Sequence, residues 1–402
     1  MNQKENWCEQ VVEKSLMGIC LLAGILGVVA SKAMTVLVAL SGLVCFISFL
    51  INRKQHPKFV SVFIVTLSLL FVWAGISSIW ALNGSGALQL CFRLTFLCLA
   101  GFVLLHASTT ASSVTQVKSQ KALLIGFGLS VLALIIGYTY AQETGDSLWG
   151  GYYFDPLTTL NNGAVIVALL LWPVTLMIWH NDKPTTAVLL LLAVSSGLMF
   201  LSSGASLLAI CVGGLVYVSL MFFGRPAALV IAFATVGFIF IAPVISEKIT
   251  NSETIMEIVE NSPSSVKHRL IMWDFVSQKI DETPYWGFGM DSSRRLPQEE
   301  FRLASNMEIM PLHPHNAALQ IRLELGLPGI VLAAALVLSL FWTVLKEAGN
   351  RQQMAVRISI LCSYLSVGVV SYGVWQSWWI ATAWALAAIV QIVLPSDQSR
   401  IP

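Results

Sequence analysis

The sequence predicts an all-α polytopic membrane protein with about 12 transmembrane helices and one large polar loop. Three observations carry that prediction. Of 402 residues, 56% are hydrophobic and only 11% charged, with mean hydropathy +0.76, whereas a soluble domain carries about 25% charge. The apolar residues are gathered into segments long enough for a bilayer core, which needs about 20 residues per helix. One stretch, residues 246–326, holds 12 of the 21 acids and three of the six histidines. This composition excludes a soluble enzyme, a disordered chain and a nucleic-acid binder with a basic face; the net charge of +2 calls for no polyanionic partner.

Twelve segments qualify in order: 15–31, 34–51, 58–81, 87–106, 121–140, 162–180, 185–202, 204–223, 226–245, 327–345, 354–372 and 375–394. The first is expected to be retained rather than cleaved, because Glu5, Glu9 and Glu13 spoil a basic leader. Short links such as Ser31-Lys32 and Ser202-Ser203-Gly204 force antiparallel neighbours. With the N-terminus in the cytoplasm, the cytoplasmic connections and flanks collect Lys4, Lys14, Arg53, Lys54, Lys58, Lys118, Lys121, Lys183, Arg225, Lys346, Arg351, Arg357 and Arg400, while the short external links hold only Lys32. That bias predicts both termini inside. The chain then divides into helices 1–9 (1–245), a large external loop carrying the chemistry (246–326), and helices 10–12 with a cytoplasmic tail (327–402). All seven cysteines fall in spans or the N-terminal segment, so no disulfide framework or cysteine metal site is expected.

Two stretches of the large loop stand out. In Pro263–Asp281 the helical period puts Val266, Leu270, Trp273, Val276 and Ile280 on one stripe, with Arg269 among them. Arg269 either snorkels with its stem on Trp273 or grips a lipid-linked phosphate at the membrane surface. A glycine-rich turn, Pro284-Tyr-Trp-Gly-Phe-Gly-Met290, follows. The second stretch is Leu312-His-Pro-His-Asn-Ala-Ala-Leu-Gln-Ile-Arg-Leu-Glu-Leu-Gly326. Pro314 suits the first position of a short helix and Gly326 its end. His315 is then expected in the first turn, where the helix dipole disfavours imidazolium and suits a neutral general base. Asn316 is expected to orient the ring or bind substrate, with Gln320 and Glu324 on its face and Arg322 displaced from it. Surface polar histidines and a zinc site are the alternatives, but His-x-His lacks a placed third ligand. No Asp-x-Asp, His-Glu-x-x-His or phosphate-cradling Gly-Lys-Ser/Thr occurs, which counts against metal-dependent nucleotide-sugar transfer, zinc proteolysis and ATP hydrolysis.

Taken together, Arg269-x-x-x-Trp273, Pro284-x-x-Gly287-x-Gly289 and the run from His313 through Gly326 resemble the O-antigen ligase and polymerase superfamily. The resemblance implies a GT-C-like glycosyltransferase that needs no metal or other cofactor and inverts configuration. It would work at the periplasmic face of a bacterial inner membrane. The donor would be a glycan on undecaprenyl pyrophosphate and the acceptor a sugar hydroxyl, in a ligase that of lipid A-core. The family's catalytic histidine maps to His315, as general base, and its loop arginine to Arg269, stabilising the departing pyrophosphate. His313, Asn316, Gln320, Arg322 and Arg93 are the candidate substrate-binding residues.

Two positions depart from the family pattern: where many relatives carry arginine, this chain has Ser202-Ser203-Gly204 and Asn161-Asn162-Gly163. A second phosphate-binding cation must come from elsewhere, with Arg93, Arg294, Arg295, Arg302 and Arg322 as candidates. Arg93 lies in an apolar span near its external end, where it binds substrate or snorkels. Trp149, Tyr152, Tyr153, Trp375, Trp378 and Trp379 are expected mostly in interfacial belts. A polymerase of the same superfamily shares the motif. A secondary transporter is the reading from another class, though its binding groups would lie on broken helices near the midplane.

Overall fold

The computed structural model describes residues 3–51, 61–150, 156–181, 183–201, 203–250, 264–297, 309–310 and 312–394. Arg53, Lys54, Lys58, Tyr152, Tyr153, Asp155, Ser202, Arg302 and Arg400 lie outside them, as does much of the predicted loop. Thirteen α-helices and no strand occur among the described residues. Nine lead: α1 (Gln3–Val29), α2 (Ala33–Ile51), α3 (Val62–Ser77), α4 (Gly84–Thr109), α5 (Ser113–Thr144), α6 (Asn161–His180), α7 (Pro184–Met199), α8 (Gly204–Phe223) and α9 (Arg225–Thr250). Then come α10 (Ser264–Glu282), α11 (Ala317–Glu347), α12 (Arg351–Gly368) and α13 (Ser377–Val393). Eight of these are long and apolar enough to cross a membrane; α3, α7 and α13 are apolar but only 16, 16 and 17 residues long, and α12 carries Arg357. This is the build of a polytopic membrane protein.

The bundle is organised around α6. Its sequence is apolar all round, which suits a helix enclosed by others, and 14 of its residues are buried. Without a hydrophobic drive between helices in lipid, close packing has to come from small residues at the crossings. Gly163 supplies one: a Cβ there would lie 2.7 Å from the Val28 backbone of α1. Gly126 and Gly42 do the same against the backbones of Leu21 and Ala100. The helix starts are capped as their sequences suggest, with Ser61, Ser112 and Asn350 accepting from first-turn N–H groups.

One break positions everything at the site end. α11 is interrupted at Gly326, whose φ of 63° and ψ of −154° are open only to glycine. The break and Pro328, which has no N–H, strip the carbonyls of Leu323, Glu324 and Leu325 of their helical partners. The Pro284–Met290 turn and a tryptophan of α3 replace them. Phe288 N donates to Leu323 O (2.9 Å), Gly289 N to Glu324 O (2.8 Å), and the indole of Trp73 on α3 to Leu325 O (2.9 Å). Leu327 N in turn donates to Tyr285 O (2.9 Å). The approach is so close that Gly287, itself at φ 68°, leaves no room for a Cβ against Glu324. The predicted end at Gly326 is thus a break within a continued helix, and the glycine-rich turn is its complement. Replacing Gly326 by alanine forces a strained backbone into the Tyr285 carbonyl. It should cost roughly 1–3 kcal/mol, measurable as a lower midpoint of thermal unfolding in detergent.

Candidate active site

The site is built beside a second, smaller core. There Met272, Phe275, Val276 and Ile280 of α10 pack with Ala242 of α9 and Ala318, Leu319 and Leu323 of α11. Ser277 donates to Pro243 O (3.2 Å), tying α10 to α9. The buried face of α10 thus turns slightly from the predicted stripe: Val266 is exposed, while Met272 and Phe275 are buried. Trp273 is half-buried and its indole N–H donates to Pro314 O (2.8 Å). That bond fixes the histidine segment against α10, with Arg269 one helical turn before Trp273.

The histidine segment does not enter the helix. Asn316 is the N-cap of α11, its Oδ1 accepting from Ala318 N (3.1 Å) and Leu319 N (3.2 Å), so Pro314 and His315 precede the helix instead of occupying its first turn. His315 has a φ of 51°, a left-handed conformation uncommon for a side-chain-bearing residue. The amide competes better for the cap than a proline ring, because it accepts two orphan N–H groups at once. Asn316 is 3% exposed, so its carbonyl oxygen serves the helix.

The α12–α13 connection closes over both rings. His315 Nδ1 meets the carbonyl of Ser371. A carbonyl can only accept, so Nδ1 carries the proton and Nε2 keeps the lone pair. His313 Nδ1 accepts from His315 N (3.2 Å), which puts its own proton on Nε2. That nitrogen lies 3.1 Å from the Gln376 side-chain amide, whose oxygen otherwise has no partner; turned toward the ring, the oxygen accepts the proton. Gly373 permits the approach, since a Cβ there would lie 2.8 Å from the His313 ring. The two rings are 4.3 Å apart, centroid to centroid.

Both histidines are held neutral. Burial, then the neighbouring His315 and Arg294, push His313 down to about 3. Burial also lowers His315; the Ser371 carbonyl opposes this, and the charges of Arg269 and His268 add to it. The expected lowering is there, and desolvation leads it. Arg269 is half-buried, and burial lowers it from its ordinary value, with Tyr372 opposing. Among the described residues no carboxylate pairs with its guanidinium. Nor is any group of three or more His, Cys, Asp or Glu placed there to hold a metal ion.

The other candidates fall into distinct places. Gln320 is 3% exposed and spends its amide internally, donating to Glu324 (3.1 Å) and accepting from Val374 N (2.9 Å). Arg322 is half-buried on α11, one guanidinium nitrogen without a partner and its charge felt by Asp281. Arg93 is exposed on α4, and its charge, with those of Arg294 and Arg295, acts on Asp291. Arg294 pairs with Asp291 at 2.9 Å. The structure therefore gathers three of the five candidate cations around one carboxylate near the histidines. Trp375, Trp378 and Trp379 are 5%, 8% and 3% exposed, packed inside and not in an interfacial belt. The connection residues Ser371, Gly373 and Gln376 went unsuspected because they form no motif; the tryptophan-rich turn around them was their only sequence signal.

Residues 187–334 match the family model described as O-antigen ligase, a stretch that takes in Arg269, both histidines and Glu324. A protein of Rickettsia bellii named "Putative polysaccharide ligase" is 29% identical over 352 residues, covering 85% of this chain and 83% of its own. One from Rickettsia felis with the same name is 26% identical over 354 residues, 85% of this chain and 84% of its own. A third from Rickettsia conorii, likewise named a putative polysaccharide ligase, is 27% identical over 341 residues, 82% and 80% of the two chains. With its many apolar helices the chain is a multi-pass membrane protein, and these matches support the O-antigen ligase superfamily.

Proposed function

We propose that the protein is an O-antigen ligase-type glycosyltransferase, transferring a glycan from undecaprenyl pyrophosphate to a sugar hydroxyl of lipid A-core. The observation that carries this reading is the state of His315: neutral, with Nδ1–H held by the Ser371 carbonyl and the Nε2 lone pair available beside Arg269. Nε2 removes the proton from the acceptor hydroxyl as its oxygen bonds to the anomeric carbon from the face opposite the leaving group. The anomeric C–O bond breaks, its electron pair leaves with undecaprenyl pyrophosphate, and configuration inverts. Arg269 offsets the charge developing on the pyrophosphate, a role suited to a half-buried cation lacking a described carboxylate partner. Arg294, with Arg93 and Arg295, supplies the second cation in place of those absent at Asn162 and Ser203. The leaving group is already activated, so the step calls on no metal or nucleotide.

The positive-inside bias supports the orientation: both termini cytoplasmic, and the site facing the periplasm at the inner membrane. Polymerase chemistry would be the same with a different acceptor. Deleting the gene separates the two. A ligase mutant leaves core without O-chains while polymer accumulates on the lipid carrier; a polymerase mutant still decorates core with single repeat units. Long-chain decoration that survives deletion would exclude both.

A general base contributes on the order of 10²–10⁴-fold. His315→Ala should therefore reduce transfer from lipid-linked donor by about that factor while the purified protein stays monodisperse. Transfer at the wild-type rate would remove His315 as the base. The pH dependence has a definite sign. The base works neutral and its proton affinity is lowered, so kcat/KM should climb with pH and level off below about 6.5, where an ordinary histidine titrates. Arg269→Gln removes a charge that disfavours imidazolium, so its acidic limb should move to higher pH and its plateau should drop. An acidic limb unmoved in that variant would show that the two groups are not coupled.

A further inference from the structure

Glu324 is the most enclosed of the described acidic and basic side chains, at 0% exposure, and the proposed chemistry does not use it. Every group around its carboxylate is a donor. Oε2 accepts from Asp291 N (2.7 Å) and from the Trp375 indole (2.6 Å); Oε1 accepts from Gln320 Nε2 (3.1 Å), Ser293 N (3.3 Å) and the Ser293 hydroxyl. Four of these five, the two backbone N–H groups, the indole and the amide NH₂, can only donate, which suits an ionised carboxylate with acceptor sites alone. A protonated acid would have only the Ser293 hydroxyl to receive its hydrogen.

These bonds join three segments through a single side chain. Asp291 and Ser293 belong to the turn that presents Arg294. Gln320 passes the connection on, since its Oε1 accepts from Val374 N (2.9 Å). Trp375 and Val374 belong to the α12–α13 connection, in which Ser371 orients His315, and Gly373 and Gln376 meet His313. We propose that Glu324 is a positioning residue for glycan transfer: its buried carboxylate fixes the 371–376 connection, and through the Ser371 carbonyl the tautomer and direction of His315. The inference rests on the reading of His315 as the base.

The experiment compares wild type, Glu324→Gln, Trp375→Phe and His315→Ala in one transfer assay with lipid-linked donor and lipid A-core, alongside ¹⁵N NMR of histidine-labelled protein. A misplaced base costs up to about 100-fold without touching substrate. Glu324→Gln turns an NH₂ group into the ring of donors and should lower kcat by roughly 10- to 100-fold. Acceptor KM should change little, and the His315 signal should spread over both tautomers. Trp375→Phe keeps the ring and removes one bond, so the same changes should appear at smaller size. It decides the matter if Glu324→Gln fails to fold. The proposal is overturned if the folded variants keep the wild-type kcat and a single Nδ1–H tautomer for His315. Should His315→Ala retain wild-type transfer, the base assignment fails instead, and the NMR still reports whether Glu324 sets the ring.

Discussion

A carboxylate cut off from water is tolerable only when surrounded by donors, and the site end of this protein is arranged to meet that demand at Glu324. The donors come from parts of the chain far apart in sequence: a backbone turn near 291, a glutamine one helical turn earlier, and an indole at 375. Each has to be brought in by its own element. The break at Gly326 makes this possible, because it opens the face of α11 to the 284–290 turn and lets that turn satisfy two of the freed carbonyls, with Trp73 taking the third. Break, turn and carboxylate therefore form one construction, whose parts are of little use separately.

The same construction accounts for the histidines. A left-handed residue such as His315 is not held by local preference, so its conformation must be imposed from outside. Asn316 fixes it from the helix side by capping, Trp273 from the α10 side through the Pro314 carbonyl, and the α12–α13 connection from above. Three constraints on consecutive residues leave the ring one orientation. Nδ1 is spent on a carbonyl and Nε2 is left over.

Reading the chain alone went far with the elements and less far with their joints. Each of the twelve apolar segments coincides with a helix because apolar length is a property of the segment itself. The placement of Arg269 one turn before Trp273 on a helix is legible for the same reason, being local, whereas Gly326 reads as a helix end and is a break after which the helix resumes. The proline at 314 was misjudged as the helix start because an amide two residues later captures both N–H groups, and a cap is decided by competition. Trp375, Trp378 and Trp379 look like membrane-interface residues in sequence. Only the fold shows that all three are buried and that the first of them, on the connection, donates to a buried carboxylate some fifty residues earlier. Ser371 acts through its backbone carbonyl, so its side chain carries no trace of the role.

Placing the one half-buried arginine of α10 within electrostatic reach of the proposed base sets two requirements against each other. Its charge disfavours imidazolium, keeping His315 neutral before reaction but resisting the proton that His315 must accept. A bound pyrophosphate would resolve the conflict. Its negative charge would draw on the same guanidinium, so the base would regain proton affinity when donor is present and lose it when donor is absent. The arginine would then stabilise the leaving group at the moment its hold on the base is weakest. On this account the distance between Arg269 and His315 matters as much as either residue. The fold sets it through the Trp273–Pro314 bond, which ties the helix bearing the one to the segment bearing the other.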